Sequence, residues 1–222
     1  MDEIKDHAPI LGVDTEKNLE TGLNKAVEII LSGGVVAFPT ESFYGLAVNA
    51  FDEEAIQRLF DIKKRRGDHP ILILISSKDV LDQYVAHISA IAQRLVNQFW
   101  PGGLTLVFEA GPNISPLLTA GTGTIGIRLS SHPIATELAK AVSVPITGTS
   151  TNISGQPACL SAGQVFHALG KEVDLILDGG VTEGGKGSTI LDVTVVPPRV
   201  LREGIVGREM LNKFLDISEQ VP

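Results

Sequence analysis

Residues 52–75, DEEAIQRLFDIKKRRGDHPILILI, carry a helix, a run of cations and a strand in direct succession. Asp52 is typical of a helix N-cap, and the apolar residues after it recur at helical spacing. The apolar segment 71–75, after Pro70, is typical of a strand buried on both faces. A helix followed closely by a buried strand indicates an α/β fold. The helical stripe consists of Ala55, Ile56, Leu59, Phe60 and Ile62.

The four cations of this stretch, residues 63–66, lie where the helix gives way to the strand. They stand in a chain of net charge −8. Binding residues are concentrated in the loops that a rigid scaffold positions, so charge at this junction indicates an anionic ligand. A solvated charge run is the alternative, and other segments have to decide between the two.

Composition limits the classes of protein to which this chain can belong. The 222 residues are 43% hydrophobic, which is enough for one domain with a substantial core. The sequence contains no run of about 20 apolar residues and its start is too acidic for a signal peptide, so we expect a cytoplasmic protein without a membrane partner. One cysteine and five scattered histidines predict neither a disulfide nor a structural metal. Acidic residues outnumber basic ones by 26 to 18, which disfavours a broad nucleic-acid footprint.

Helical and strand patterns alternate irregularly along the rest of the chain, which predicts a twisted mixed β-sheet flanked by helices in a single α/β domain. We expect a flexible N-terminal arm over residues 1–17, the domain over 18–215 and a C-terminal tail over 216–222. Further helices are expected from Leu23 to Leu31, after Ser89, over 133–142 and after Ser161. Strands are expected over 35–39, 104–109, 124–129, 144–149, 174–178, 188–196 and 199–202.

Two glycine-rich segments match phosphate-binding motifs only in part. Residues 121–126 spell G-x-G-x-x-G, but a strand pattern follows where the dinucleotide fingerprint needs a helix. Residues 180–187 approach a P-loop, but Gly187 replaces the Ser or Thr that binds magnesium. These glycines are therefore interpreted as turns or as flexible walls of another pocket.

Five other segments place small, hydroxyl or cationic groups at the ends of apolar runs: 39–45, 63–70, 124–128, 149–155, and Ser188-Thr189 with Arg202. Together they resemble the YrdC-like family of threonylcarbamoyl-AMP synthases. The resemblance runs from about residue 23 to residue 204 and includes the K-x-R and S-x-N pairs. It also includes Trp100-Pro101-Gly102, Ser131-His132-Pro133 and the closing segment 201–204. The sequence ends without the C-terminal extension of longer members, so we expect the single catalytic domain form.

The resemblance implies a nucleotidyltransferase that makes threonylcarbamoyl-AMP and pyrophosphate from L-threonine, bicarbonate and ATP, with Mg²⁺ carried in by the ATP. A tRNA-modifying transferase complex would receive the product and form threonylcarbamoyladenosine in tRNA. By similarity, Lys63 and Arg65 would be catalytic, and the ATP-binding residues would be Lys63, Arg65, Thr124, Ser150, Asn152 and Arg202. Those around threonine and bicarbonate would be Thr40, His69, Arg128 and Ser188. We expect no metal site formed by the protein itself.

The chemistry of these residue types agrees with the resemblance. A threonine carbamate has to attack the α-phosphate of ATP, so two anions are forced together and cations must offset their repulsion. Lys63 and Arg65 suit phosphate oxygens, and Arg128 suits a carboxylate, which its planar fork can bind in bidentate fashion. Lys64 and Arg66 are expected to face solvent. No protein nucleophile is needed, because positioning and electrostatic stabilisation carry such a transfer.

Each residue also has an ordinary structural alternative. Ser150 and Asn152 can simply form a turn, and Arg128 or Arg202 can form a surface ion pair. Thr40 can cap a helix and His69 can be a loop histidine. Two positions depart from the family pattern: Arg66 replaces a common proline, and Thr151 replaces a common alanine.

Two rival functions stay open. One is a paralogous carbamoyl-transfer enzyme, like the YrdC-like module of hydrogenase-maturation proteins, although the zinc-finger-like and acylphosphatase segments that accompany that module are absent from this sequence. The other is an RNA-binding or ribosome-assembly module, for which weak RNA binding would depend steeply on salt and not on threonine.

Overall fold

The computed structural model describes residues 7–14, 17–64, 69–153 and 155–215, in which short helices and strands alternate. The helices are α1 (Leu19–Leu31), α2 (Glu53–Lys63), α3 (Ala90–Phe99), α4 (Pro116–Thr119), α5 (Pro133–Val142), α6 (Ala162–Leu169) and α7 (Arg208–Asn212), with a 3₁₀ helix at Lys78–Gln83. The strands are β1 (Ile10–Gly12), β2 (Val36–Pro39), β3 (Tyr44–Ala47), β4 (Ile73–Leu74), β5 (Leu104–Glu109), β6 (Thr124–Arg128), β7 (Ile146–Thr147), β8 (Thr149–Ser150), β9 (Leu175–Asp178), β10 (Thr189–Asp192) and β11 (Arg199–Arg202).

The strands form two mixed sheets. One has five strands in the order β1-β9-β2-β3-β8, and the other has six in the order β11-β10-β5-β6-β4-β7. Each sheet contains parallel and antiparallel pairs; β2, for example, is parallel to β9 and antiparallel to β3. The mixed α/β class predicted from the sequence is confirmed, with the strands divided between two sheets.

The five-stranded sheet is covered on both faces. Along β2, Val36 and Phe38 belong to a hydrophobic cluster with α1 and α5, whereas Ala37 points into the larger cluster shared with the six-stranded sheet. This alternation follows from the two-residue period of a strand. Helices α2, α3 and α6 contribute to the larger cluster, so the main core lies between the two sheets and these helices.

The predicted helix starts are confirmed by their caps. The side chain of Asp52 accepts a hydrogen bond from the Ala55 backbone N–H at 3.0 Å. Ser89 and Ser161 each accept one in the same way, Ser89 at 3.2 Å. Such a cap stabilises a helix by about 1 kcal/mol. Helix α2 ends at Lys63, where the cation run begins.

The chain passes from one sheet to the other at Gly148, inside the strand expected over 144–149. Thr147 pairs with Ile73 in the six-stranded sheet, while Ser150 pairs with Gly45 in the five-stranded sheet. The single predicted strand is therefore two short ones, β7 and β8. A Cβ atom on Gly148 would lie 2.6 Å from Leu72 Cδ1, so this crossing requires glycine.

Two other segments differ from the expectation. Ile10–Gly12, inside the segment 1–17 expected to be flexible, forms β1 and pairs in parallel with β9. The expected strand 71–75 is reduced to β4, because Ile71 donates its backbone N–H to Leu118 in α4, although Ile75 still donates to Arg128 of the neighbouring strand β6. Residues 1–6 and 216–222 lie outside the described residues, and the domain boundaries remain a prediction. Within the described ranges, no helix combines the length and apolar character that a membrane span requires.

Candidate active site

A cavity of about 940 Å³ is lined by strands of both sheets. Small-molecule sites are usually clefts of about 300–1,000 Å³, so its size suits a nucleotide or an amino acid. Strands β3 and β8 contribute from one sheet, and β5, β6, β10 and β11 contribute from the other. The sequence-predicted residues that line it are Thr40, His69, Thr124, Arg128, Ser150, Ser188 and Arg202.

Lys63 lies at the end of α2 with only 2% of its surface exposed. Its ammonium donates hydrogen bonds to the backbone oxygens of Ser150 and Asn152, the latter at 2.9 Å. A buried ammonium requires such acceptors. Lys63 is not itself part of the cavity lining among the described residues, but it directly contacts Ser150, which is.

The loop after β8 is held by its own side chains. The Ser150 hydroxyl donates to Asn152 Oδ1 at 2.5 Å, and Asn152 Nδ2 donates to the Gln156 backbone oxygen at 2.6 Å. Thr151, the departure from the family pattern, is fully buried and its hydroxyl donates to the Tyr44 backbone oxygen at 3.1 Å. The arrangement explains how the S-x-N pair shapes this wall, and the ATP-binding role of Ser150 and Asn152 remains a prediction.

Arg128, the last residue of β6, is buried and paired with a carboxylate. Its Nη2 forms an ion pair with Glu41 Oε1, and Ser130 donates a hydrogen bond to the other Glu41 oxygen at 2.6 Å. Burial lowers the pKa of Arg128, and the charge on Glu41 opposes that effect. Arg128 Nε is buried and has no hydrogen-bond partner among the described residues. This cation therefore has a hydrogen-bond donor that the described residues leave unsatisfied.

Ser188 and Arg202 form a second polar group on the wall. The Ser188 and Thr105 hydroxyl oxygens lie 2.8 Å apart, and Arg202 Nη2 donates to the Ser188 backbone oxygen at 2.8 Å and to its hydroxyl at 3.1 Å. Partial burial lowers the pKa of Arg202, and nearby Arg128 lowers it further. Two guanidinium groups that repel one another at one cavity favour an anionic ligand.

Three predicted residues contribute hydroxyl or imidazole groups. The buried Thr40 hydroxyl donates to the Phe43 backbone oxygen at 2.7 Å and accepts the Ser42 and Phe43 backbone N–H groups at 3.3 and 3.4 Å, which fixes its position in the turn after β2. The Thr124 and Thr122 hydroxyl oxygens lie 3.0 Å apart at the start of β6. His69 is exposed beside the cavity. Arg65 and Arg66 lie outside the described residues.

The two glycine-rich segments are turns and wall segments, as expected. Gly121 and Gly123 have φ of +72° each and precede a strand, not a helix. Lys186 and Gly187 line the cavity where the β10 strand begins. A Cβ atom on Gly187 would lie 3.3 Å from Arg202 Nη2, so the small residue leaves room for that guanidinium.

Three polar residues near this cavity were given no role from the sequence, although Glu41 and Tyr44 lie in the segment 39–45 that was singled out. Thr105 and Tyr44 line it, and Glu41 pairs with Arg128. The Tyr44 hydroxyl donates to the Gly180 backbone oxygen at 2.7 Å, and burial together with Asp178 raises its pKa to about 12. The sequence feature that could have identified Thr105 is its position as a polar residue inside an otherwise apolar strand. Glu41 follows Thr40 directly after the buried strand β2.

Two mixed sheets around a polar cavity with converging cations are the features of an α/β ligand-binding domain. Residues 28–204 match the Sua5/YciO/YrdC family model, whose description is telomere recombination. The match covers most of the chain, which therefore belongs to the Sua5/YciO/YrdC family. The YrdC-like resemblance seen in the sequence is confirmed.

Similar proteins are known in archaea and bacteria. The chain is 38% identical over 200 residues to the threonylcarbamoyl-AMP synthase of Pyrococcus abyssi, covering 90% of this chain and 59% of that protein. It is 34% identical to the Vibrio vulnificus threonylcarbamoyl-AMP synthase, covering 83% of this chain and 99% of that one. The crystal structure of P. abyssi Sua5 complexed with L-threonine superposes with a TM-score of 0.91 at 36% identity, over 95% of this chain and 63% of that one.

Proposed function

We propose that this chain is a threonylcarbamoyl-AMP synthase. It makes threonylcarbamoyl-AMP and pyrophosphate from L-threonine, bicarbonate and ATP, and the ATP enters as its Mg²⁺ complex. The names of the Pyrococcus and Vibrio relatives support this activity, and the threonine complex of P. abyssi Sua5 supports the amino acid. The chain spans 59% of the Pyrococcus relative's length, so the comparison concerns that part of the relative.

The observation that carries the proposal is the placing of two cations at one cavity. Arg128 has a buried N–H without a partner among the described residues, and Arg202 is close enough to Arg128 for repulsion to lower its own pKa further. Both line the same space as Ser188 and Thr40. The substrates supply the negative charge that this arrangement favours. Threonine carries a carboxylate, its carbamate adds a second anionic group, and ATP carries phosphates.

The reaction has two steps. The uncharged amine of threonine attacks the carbon of bicarbonate, giving a carbamate and water. A carbamate oxygen then attacks the α-phosphorus of ATP, the bond from that phosphorus to the bridging oxygen breaks, and pyrophosphate leaves. The protein supplies orientation and positive charge rather than a nucleophile, as is usual for transfers at phosphorus.

The residues take roles according to their chemistry. Arg128 binds the threonine carboxylate through its free N–H groups. Ser188, Thr40 and His69 surround the hydroxyl and the carbamate. The nucleotide side is formed by Lys63, Arg65, Thr124, Ser150, Asn152 and Arg202, where Lys63 also holds the loop through Ser150 and Asn152. Lys63 and Arg65 stabilise charge on the phosphoryl groups.

The product is an activated mixed anhydride, so its threonylcarbamoyl group passes to a nucleophilic amine. A tRNA-modifying transferase complex accepts it and modifies the adenosine just 3′ of the anticodon. This chain supplies that intermediate, and its overall net charge of −8 agrees with a small-molecule role more than with extensive tRNA binding.

The test is pyrophosphate release from ATP measured with each standard amino acid in turn, with and without bicarbonate. We expect release that requires both threonine and bicarbonate, with threonylcarbamoyl-AMP as the adenylate formed. Release that does not depend on bicarbonate would contradict the proposed reaction, because the carbamate is its nucleophile.

A further inference from the structure

Glu41 sits behind Arg128 and is itself held in place. One of its carboxylate oxygens pairs with Arg128 Nη2, and the other accepts the Ser130 hydroxyl at 2.6 Å. Ser130 is in turn fixed, because its hydroxyl also accepts the His132 backbone N–H at 3.2 Å and its backbone oxygen accepts the Thr136 hydroxyl at 2.9 Å. The Glu41 carboxylate therefore joins β6 to the start of α5.

The burial of Arg128 makes a counter-charge necessary. Only 5% of the residue is exposed, and burial on its own lowers its pKa. An unpaired buried cation is costly, whereas a paired and hydrogen-bonded one is tolerated. Glu41 is the carboxylate that forms an ion pair with Arg128, and its charge favours the charged guanidinium.

The pair leaves part of the guanidinium available. Arginine has five N–H donors in a fixed fork, and Glu41 occupies the Nη2 side. Nε has no hydrogen-bond partner among the described residues, although it is buried. Among those residues Glu41 is not part of the cavity lining, whereas Arg128 is. Glu41 is thus placed to act on a ligand through Arg128 rather than by contact.

We propose that Glu41 is a positioning residue for the amino-acid substrate. It neutralises the buried charge of Arg128 and fixes the rotation of its guanidinium, so that the remaining N–H groups are presented to the substrate carboxylate. The inference rests on the proposed function in one respect, the identification of that carboxylate with L-threonine. Among the proposed nucleotide residues that the structure describes, Thr124 alone shares β6 with Arg128, and it lies at the other end of that strand, so we expect the loss of Glu41 to affect the amino acid and not ATP.

The test compares Glu41→Gln, which keeps the shape and removes the charge, with the wild type. Partners that orient a ligating side chain are typically worth about 10–100-fold, so we expect the KM for threonine to rise by that factor. The Kd for ATP, measured by calorimetry, stays unchanged. Glu41→Asp, which keeps the charge, recovers part of the threonine affinity.

Asp174→Asn is the matched control. Asp174 forms an ion pair with Arg58 at 2.6 Å, away from the cavity, and also accepts the Val35 backbone N–H at 2.7 Å, so this variant tests the effect of a broken ion pair at a structural position. We expect a lower melting temperature with an unchanged KM for threonine. A Glu41→Gln variant that behaves like this control would overturn the inference, as would an equal loss of threonine and ATP affinity.

A second measurement separates this inference from the proposed function. The Arg128 Nε–H resonance, assigned by comparison with Arg128→Lys, is recorded by NMR without any substrate. We expect a resolved signal in the wild type and a broadened or shifted one in Glu41→Gln. Identical spectra would overturn the positioning role, whereas wild-type protein that lacks threonine-dependent pyrophosphate release would overturn the proposed function alone.

Discussion

The Lys63 ammonium donates a hydrogen bond to the Asn152 backbone oxygen at 2.9 Å, which links residues 89 positions apart in the sequence. The bond connects the end of α2 to the loop after β8. Lys63 of the K-x-R motif therefore contacts the S-x-N pair in space and helps to hold the loop that contains it.

Replacing Lys63 should affect both activity and stability. Lys63→Met keeps the length of the side chain but leaves the Ser150 and Asn152 backbone oxygens without this donor, and a buried unsatisfied group costs about 1–3 kcal/mol. We expect a strong fall in turnover and a lower free energy of unfolding in urea. The exposed neighbour Lys64 is the control, and Lys64→Gln should be nearly silent. Equal losses from both variants would support a merely solvated charge run.

The S-x-N pair makes a different prediction. Asn152→Ala removes the acceptor of the Ser150 hydroxyl and the donor to Gln156. If the pair binds nucleotide, the Kd for ATP rises while the KM for threonine changes little. Calorimetric titration with ATP, together with a thermal melt, checks this. A lower melting temperature with unchanged ATP affinity would identify the pair as a turn and nothing more.

The contributions of Ser188 and Thr105 to threonine binding can be distinguished with a pair of variants. Ser188→Ala removes the hydroxyl that contacts both Thr105 and Arg202, so we expect weaker threonine binding. Thr105→Val keeps the shape of the side chain and removes only the hydroxyl behind Ser188, and its effect should be smaller. The KM for threonine in pyrophosphate release measures both. A larger effect at Thr105 would show that the strand residue, not Ser188, meets the substrate.

The amino-acid preference follows from the substrate's two side-chain groups. Serine lacks the methyl group, which in an apolar pocket is worth about 10–200-fold in kcat/KM. Valine lacks the hydroxyl, and if buried polar groups such as Thr40 bind that hydroxyl, its rejection reaches ~10⁴-fold. Competition assays with the three amino acids should give the order threonine, serine, valine. Valine outperforming serine would contradict this description of the pocket.

His132 should make the protein less stable in mild acid. Burial lowers the pKa of its imidazole below the ordinary value of 6.5, although Glu41 partly opposes this. The unfolded chain therefore binds a proton more readily than the folded one, and stability falls as the pH drops below about 6.5. Urea unfolding between pH 8 and pH 5 should show a smaller loss for His132→Asn than for the wild type. Parallel pH profiles would exclude this contribution.

Local signals explain why the helices were predictable. A cap is formed by one side chain and a backbone group three residues later, as for Asp52 and Ala55, so the sequence contains all of the information. The division of the strand at Gly148 is different, because it depends on where the distant strands β3 and β4 accept hydrogen bonds. An apolar run in the sequence does not specify which strand it will pair with.

The site shows the same division between local and distant information. Most of the residues that the resemblance singled out, among them Thr40, Arg128 and Ser188, line one cavity, and their roles remain predictions. Glu41 lies in the singled-out segment 39–45 but was given no role, because a carboxylate does not suggest a site for anions and its partner lies in another part of the chain. Thr105 was missed because a β-branched residue is ordinary in a strand.

The crossing at Gly148 has a consequence for mutational scans of this protein. Any side chain at this position would collide with Leu72 and Leu74, whose nearest side-chain atoms would lie 2.6 and 2.9 Å from its Cβ atom. Substitution should therefore lower the stability of the protein, because both leucine side chains would have to move, even though glycine offers no functional group. A scan would score Gly148 as sensitive beside a cavity lined by polar side chains, and its sensitivity would report steric exclusion, not chemistry.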